Sequence, residues 1–106
     1  VDGAIRILSS VASRGSQDPA VRLATLDLLR LRLARGQVKE AIKELEAMAS
    51  GKDKRLPQDE AMYQLATAYQ QAGQLAEAQK VLRKLVETFP DSPWQRDAQQ
   101  LLASLS

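Results

Sequence analysis

Between positions 38 and 49 the apolar residues are Val38, Ala41, Ile42, Leu45, Met48 and Ala49. The spacing i, i+3, i+4, i+7, i+10, i+11 places all six on one face of an α-helix. Lys39, Glu40, Lys43, Glu44 and Glu46 take the opposite face, which reads as a solvated surface. The pattern occurs twice more, in "VDGAIRILSSVAS" from Val1 and in "LAEAQKVLRKLVE" from Leu75. Successive starts are 37 residues apart. Ala4, Ala41 and Ala78 share a register, as do Leu8, Leu45 and Leu82, and again Val11, Met48 and Leu85. So constant a period over three copies is the mark of a repeat architecture.

The intervening segments repeat as well. Pro19, Leu56 and Pro93 keep the same spacing, and so do Ala24, Ala61 and Ala98. Asp18-Pro19 and Ser92-Pro93 are helix-start signals: the side-chain oxygen caps, and the missing N–H of proline is harmless in the first turn. Gly36 and Gly73 mark helix ends, because glycine takes the left-handed position after a helix without strain. Pro90 stops the helix before it. The unit therefore reads as helix A, a tight glycine turn, helix B and a loop. The predicted elements are a B helix at 1–14, A at 19–35, B at 37–50, A at 57–72, B at 74–88 and a last A at 93–105. The chain is thus expected to be all-α, a single domain over 1–106 of about six helices stacked as antiparallel helix-turn-helix repeats. It divides into the second helix of a truncated repeat (1–16), two repeats (17–53 and 54–90) and a C-terminal capping helix (91–106).

Both ends carry expectations. The first B helix lacks its A partner, so its apolar face is expected to be bare or to meet another copy. In the last helix Leu101, Leu102 and Leu105 are expected to face the preceding repeat, with Gln95, Arg96, Gln99 and Gln100 in water. Trp94 reads as a packing residue at that helix start. The A helix at 19–35 is apolar nearly all round, which fits either burial on several sides or an exposed strip for a partner.

Composition narrows the chemistry. Apolar residues are 44% and charged ones 26% of 106 residues, as in an ordinary folded domain. The formal charge of +2 is too small to argue for nucleic acid or a membrane surface. No apolar run approaches the ~20 residues that span a bilayer. There is no Cys and no His, which excludes disulfides, the usual zinc sites and the commonest general base. The five glycines form no phosphate-binding loop. Asp59 and Glu60 are adjacent, point in different directions on a helix and are expected to favour its N-terminus. Asp53, between Lys52 and Lys54, reads as loop charge. Ser9-Ser10 and Ser104 have no base nearby. These features predict a non-enzyme with no catalytic residues, no cofactor and no metal.

Met62, Leu65-Ala66, Tyr69, Gly73, Ala78, Leu82 and Pro90 resemble the pattern of the tetratricopeptide repeat, W-x2-L-G-x2-Y followed by A-x3-F and P. The first full repeat matches less well. Leu28-Leu29, Gly36, Ala41 and Leu45 fit, but Arg32 stands where the Tyr belongs, and the loop "SGKDKRLPQ" is longer than the family norm. The resemblance implies a right-handed solenoid with a concave surface lined by A helices, which binds peptides or helices of partner proteins. By register that groove would hold Leu23, Leu26, Asp27, Arg30, Leu33 and Ala34 of the first full repeat. The second would add Glu60, Tyr63, Gln64, Thr67, Gln70 and Gln71. The main groove candidates are Leu23, Leu26, Arg30, Leu33, Tyr63, Gln64, Thr67, Gln70 and Gln71. The clamp for C-terminal carboxylates known in this family is disfavoured, since Arg30 is the only cation among them.

Three functional readings follow. The first is a non-catalytic scaffold or adaptor that binds protein or peptide. The second is self-assembly into a homo-oligomer within a larger bacterial envelope protein. The segment "FPDSPWQRDAQQLLASL" resembles the ends of bacterial envelope proteins of this family, which would place the chain in the periplasm as part of a longer anchored parent. The start at Val1 is likewise read as a cut from a longer chain. The third is RNA binding through Arg30, Arg32, Arg35 and Lys54-Arg55, but only Tyr63 offers a ring for stacking in the groove.

Overall fold

The computed structural model describes residues 18–105, and the predicted helix at 1–14, its apolar face and Ser9-Ser10 lie outside them. The described residues form five helices and no strand: α1 (Pro19–Ala34), α2 (Val38–Ala49), α3 (Gln58–Gln71), α4 (Leu75–Thr88) and α5 (Gln95–Leu105). All five predicted helices in this range are present, with ends shifted by two residues or fewer.

Local chemistry explains where each helix starts and stops. The Asp18 carboxylate accepts the Ala20 N–H at 2.9 Å, with Pro19 in the first turn. After α1, Gly36 has φ +77°. Its N–H donates to Leu33 O and the Gln37 N–H donates to Arg32 O, which satisfies two carbonyls of the last turn. The arrangement recurs one period later. Gly73 has φ +80°, its N–H donates to Gln70 O, and the Gln74 N–H donates to Tyr69 O. At the end of α4, Phe89 leaves the helix at ψ 66°, as a residue before proline is biased to do.

Consecutive helices pack against each other along the chain. The described residues extend 42 × 29 × 18 Å. The short dimension is about two helix diameters, as two layers require. The A helices α1, α3 and α5 alternate with the B helices α2 and α4. Two apolar clusters fill the space between them. One joins Leu29 of α1 and Ala41, Ile42, Leu45 and Met48 of α2 to Ala61, Leu65 and Ala68 of α3. The other joins Met62 and Ala66 of α3 to Ala78, Leu82 and Leu85 of α4 and Ala98 of α5. Helix α3 serves both, with different residues on each side. Ala41, Ala61, Ala66, Ala68, Ala78 and Ala98 are all fully buried. Larger side chains there would push the helices apart. Met62, Ala66 and Leu82, which replace the Trp, Gly and Phe of the family pattern, occupy the buried positions that the pattern requires.

Where Arg32 replaces the expected Tyr, its guanidinium pairs with Glu44 of α2 at 3.2 Å, an ionic link between the two helices of one repeat. The long loop is also organised. Leu56 is buried, and Asp53 pairs with Arg55 at 2.8 Å, so Asp53 is more than solvated loop charge. In α5, Leu101, Leu102 and Leu105 pack on the second cluster. Gln95 departs from expectation. Its amide is half-buried and donates to Phe89 O at 2.9 Å, helping to close the C-terminal end of α4.

Candidate partner-binding face

The sequence-derived groove residues fall into three environments. Leu23 is 58% exposed, and Arg30, Gln70 and Gln71 are also exposed. Leu26 and Leu33 are half-buried against the first apolar cluster. Tyr63, Gln64 and Thr67 are half-buried, with the Thr67 hydroxyl donating to Gln64 O at 2.7 Å. Arg30 has only a long contact to Asp27 at 3.6 Å, with both side chains well exposed, so its charge is essentially solvated. The nearly all-apolar α1 divides its surface. Val21, Leu28 and Leu29 are buried, while Leu23 and Leu31 are open.

The strongest links between A helices lie at their N-terminal ends. Arg22 of α1 donates from Nε to both carboxylate oxygens of Glu60 in α3, at 2.8 and 3.1 Å, and from Nη2 to Oε2 at 2.6 Å. Glu60 is 2% exposed, so it is not the open groove residue that its register suggests, nor simply a partner of the helix dipole. The carboxylate is held by a fork-shaped cation from the neighbouring repeat, the geometry in which such bonds are strongest. The same bonds raise the pKa of the Arg22 guanidinium, the hydrogen bond to Glu60 being the larger cause and its charge the second.

Asp59, one residue earlier, binds in the other direction. One of its oxygens accepts the Glu60 N–H at 2.9 Å, and the other accepts the Ser92 hydroxyl at 2.5 Å. The Ser92 oxygen in turn accepts the Trp94 N–H at 3.0 Å. Ser92 therefore caps the turn entering α5 and ties that turn to α3. One turn along α3, the Tyr63 ring stacks on Trp94 with centroids 5.0 Å apart and planes 27° from parallel. The phenol of Tyr63 is pushed above 10.0, first by burial and then by the charge of Asp97 in α5.

These links surround a cavity of about 460 Å³, lined by Arg22, Pro57, Asp59, Glu60, Pro93, Trp94 and Asp97. Arg22, Asp59, Ser92, Trp94 and Asp97 were not among the main groove candidates. For Asp59, Ser92 and Trp94 the sequence signals were absorbed by simpler roles, and Arg22 and Asp97 carried no signal of their own. Ser92 has the form of a cap and Trp94 that of a packing residue, while Arg22 is one of four charged residues on α1 and nothing in its spacing sets it apart.

A second depression of about 240 Å³ lies between α2, α3 and α4, with Tyr69, Glu46 and Lys84 on its rim. Burial, then the charges of Glu46 and Glu77, raise the Tyr69 phenol above 10.0. No helix among the described residues is long and apolar enough to cross a membrane.

Compared with known proteins, residues 60–92 match the tetratricopeptide repeat family. The matched span holds α3 from Glu60 onward, α4 and the turn to Ser92. No curated protein and no solved structure matches the chain.

Proposed function

We propose that the chain, whose residues 60–92 match the tetratricopeptide repeat, is an array of such repeats and binds an extended or helical segment of a partner across the face formed by its A helices. The family supports a protein–protein interaction module in general. The finer reading rests on one observation: three successive A helices, α1, α3 and α5, or the turns that enter them, all line the same depression. A single repeat cannot make such a surface, and stacking neighbours creates it. In this reading the chain performs no chemistry of its own and positions the partner. The open side chains Leu23, Arg30, Gln70 and Gln71 extend the surface beyond the cavity along α1 and α3.

Site-specific photo-crosslinking tests this. Crosslinkers at Leu23 and Gln71, both exposed, should yield adducts with the same partner segment. One at Lys43, exposed on α2, should yield none. Adducts from Lys43 alone would place binding on the B helices and overturn the proposal.

Self-assembly is the second reading, favoured by two large apolar side chains open on one helix, Leu23 and Leu31 at 58% and 44% exposure. It requires the chain to sediment as an oligomer, and a monomer at high concentration would end it.

A further inference from the structure

We propose that the cavity at the first turns of α1, α3 and α5 is a subsite for a cationic side chain, arginine or lysine, on the partner segment. The proposal rests on the A-face reading above and names the chemistry of its ligand.

The lining sets the sign of the charge. Asp59, Glu60 and Asp97 supply three carboxylates, against the single guanidinium of Arg22. Arg22 is committed to Glu60 through three hydrogen bonds. Asp59 is held in place by the Glu60 N–H and the Ser92 hydroxyl. Both of those donors are neutral, so the Asp59 charge is not cancelled. Asp97 has no cation within ion-pair distance among the described residues. The cavity thus keeps a formal excess of two negative charges in a chain whose net charge is +2. That inversion of sign is local, and it draws a cation to this spot.

The wall supplies the second half of the recognition. Trp94 lines the cavity, and its ring is braced by stacking on Tyr63. The face of an indole ring attracts a guanidinium or ammonium through its quadrupole, and a rigid ring does so at little entropic cost. A carboxylate beside an aromatic wall suits an arginine side chain, whose stem lies on the ring while its head meets the acid. Other occupants fit less well. An anion would meet the carboxylates. An apolar side chain would strip water from Asp97 with nothing to replace it. No group of three acidic side chains among the described residues converges to hold a metal ion. The volume of about 460 Å³ lies within the range of ordinary ligand sites.

The test uses the whole chain labelled with ¹⁵N and three small probes: N-acetylarginine methylamide and its norleucine and glutamate counterparts. Trp94 is the single tryptophan, so its indole N–H signal reports on the cavity without ambiguity. The arginine probe is expected to shift that signal saturably, together with the Asp97 amide, and the glutamate probe is not. Asp97→Asn, at an exposed position, should weaken binding of the arginine probe about three- to fivefold. Added salt should weaken it in the wild-type chain. The proposal is overturned if the arginine probe gives no saturable shift, if norleucine shifts the indole equally, or if Asp97→Asn changes nothing. Crosslinking from Leu23 and Gln71 does not depend on these outcomes. Retained crosslinks with a failed arginine probe would leave the A-face reading standing and remove only the cation subsite.

Discussion

Replacing Arg22 with methionine keeps the aliphatic stem and removes the guanidinium. Glu60, at 2% exposure, would then be a carboxylate with its cation gone. Breaking a fully buried pair in this way costs about 3–5 kcal/mol. Arg22 is itself 41% exposed, so water can reach the carboxylate from the vacated side, and the expected loss is reduced to about 2–3 kcal/mol. For a domain of this size that corresponds to a fall of about 10–20 °C in the unfolding midpoint. Thermal and urea unfolding, followed by circular dichroism and by Trp94 fluorescence, would measure it. The companion is Arg22→Met with Glu60→Met, which removes both charges and leaves two side chains of suitable volume. It should return to within about 1 kcal/mol of the wild type, because two apolar residues can replace a buried pair where one widowed charge cannot. An unchanged midpoint in Arg22→Met, or a double variant no more stable than the single one, would refute the argument that this pair joins the two repeats.

Three further outcomes are expected. Ala78→Phe should destabilise the chain by about 1–3 kcal/mol or more in the same unfolding assay, since Ala78 is fully buried where α3, α4 and α5 meet; Gln71→Ala, at an exposed position, should be nearly neutral. Gly73→Ala should cost about 1–2 kcal/mol through backbone strain alone, because an added Cβ meets nothing within 4 Å at φ +80°; Gly73→Asn should cost less. At alkaline pH the folded chain holds its tyrosine protons more tightly than the unfolded one, since both phenols lie above 10.0. Stability should therefore be complete below pH 10 and fall as pH rises through the tyrosine range, and absorbance titration should show both phenolates forming later in the folded chain.

The repeat and its helices were legible because they depend on nearby residues. Gly36 and Gly73 announce their turns through backbone conformation, and Asp18-Pro19 announces a helix start through a hydrogen bond two residues long. The buried stripes follow from spacing within each helix. The candidate site was less legible because its parts lie far apart. Arg22 reaches Glu60 across 38 residues, one period plus one, and Asp59 meets Ser92 across 33. Such pairs depend on how one A helix leans against the next. No periodicity within a helix encodes that angle. Glu60 illustrates the difference. Its helical position suggested an open groove residue, but a guanidinium from the adjacent repeat encloses it. Trp94 shows the same limit, since its place before α5 was readable and its stacking on Tyr63 was not.

The specific ties that join each A helix to the next, or to the turn that enters it, all occur at one end: the polar pairs Arg22 with Glu60 and Asp59 with Ser92, and the stacked rings of Tyr63 and Trp94. Toward their other ends, near Gly36 and Gly73, α1 and α3 share an apolar cluster with α2 but no hydrogen bond or ion pair with each other. Such an array is bound like a book along its spine. Its softest deformation is a fanning of the free edge, where apolar contacts slide and no directional bond is broken. A partner lying across the A face would meet a fixed margin at the bound edge and a compliant one at the other. The chain could then hold one part of a segment in strict register while adjusting to variation in the rest.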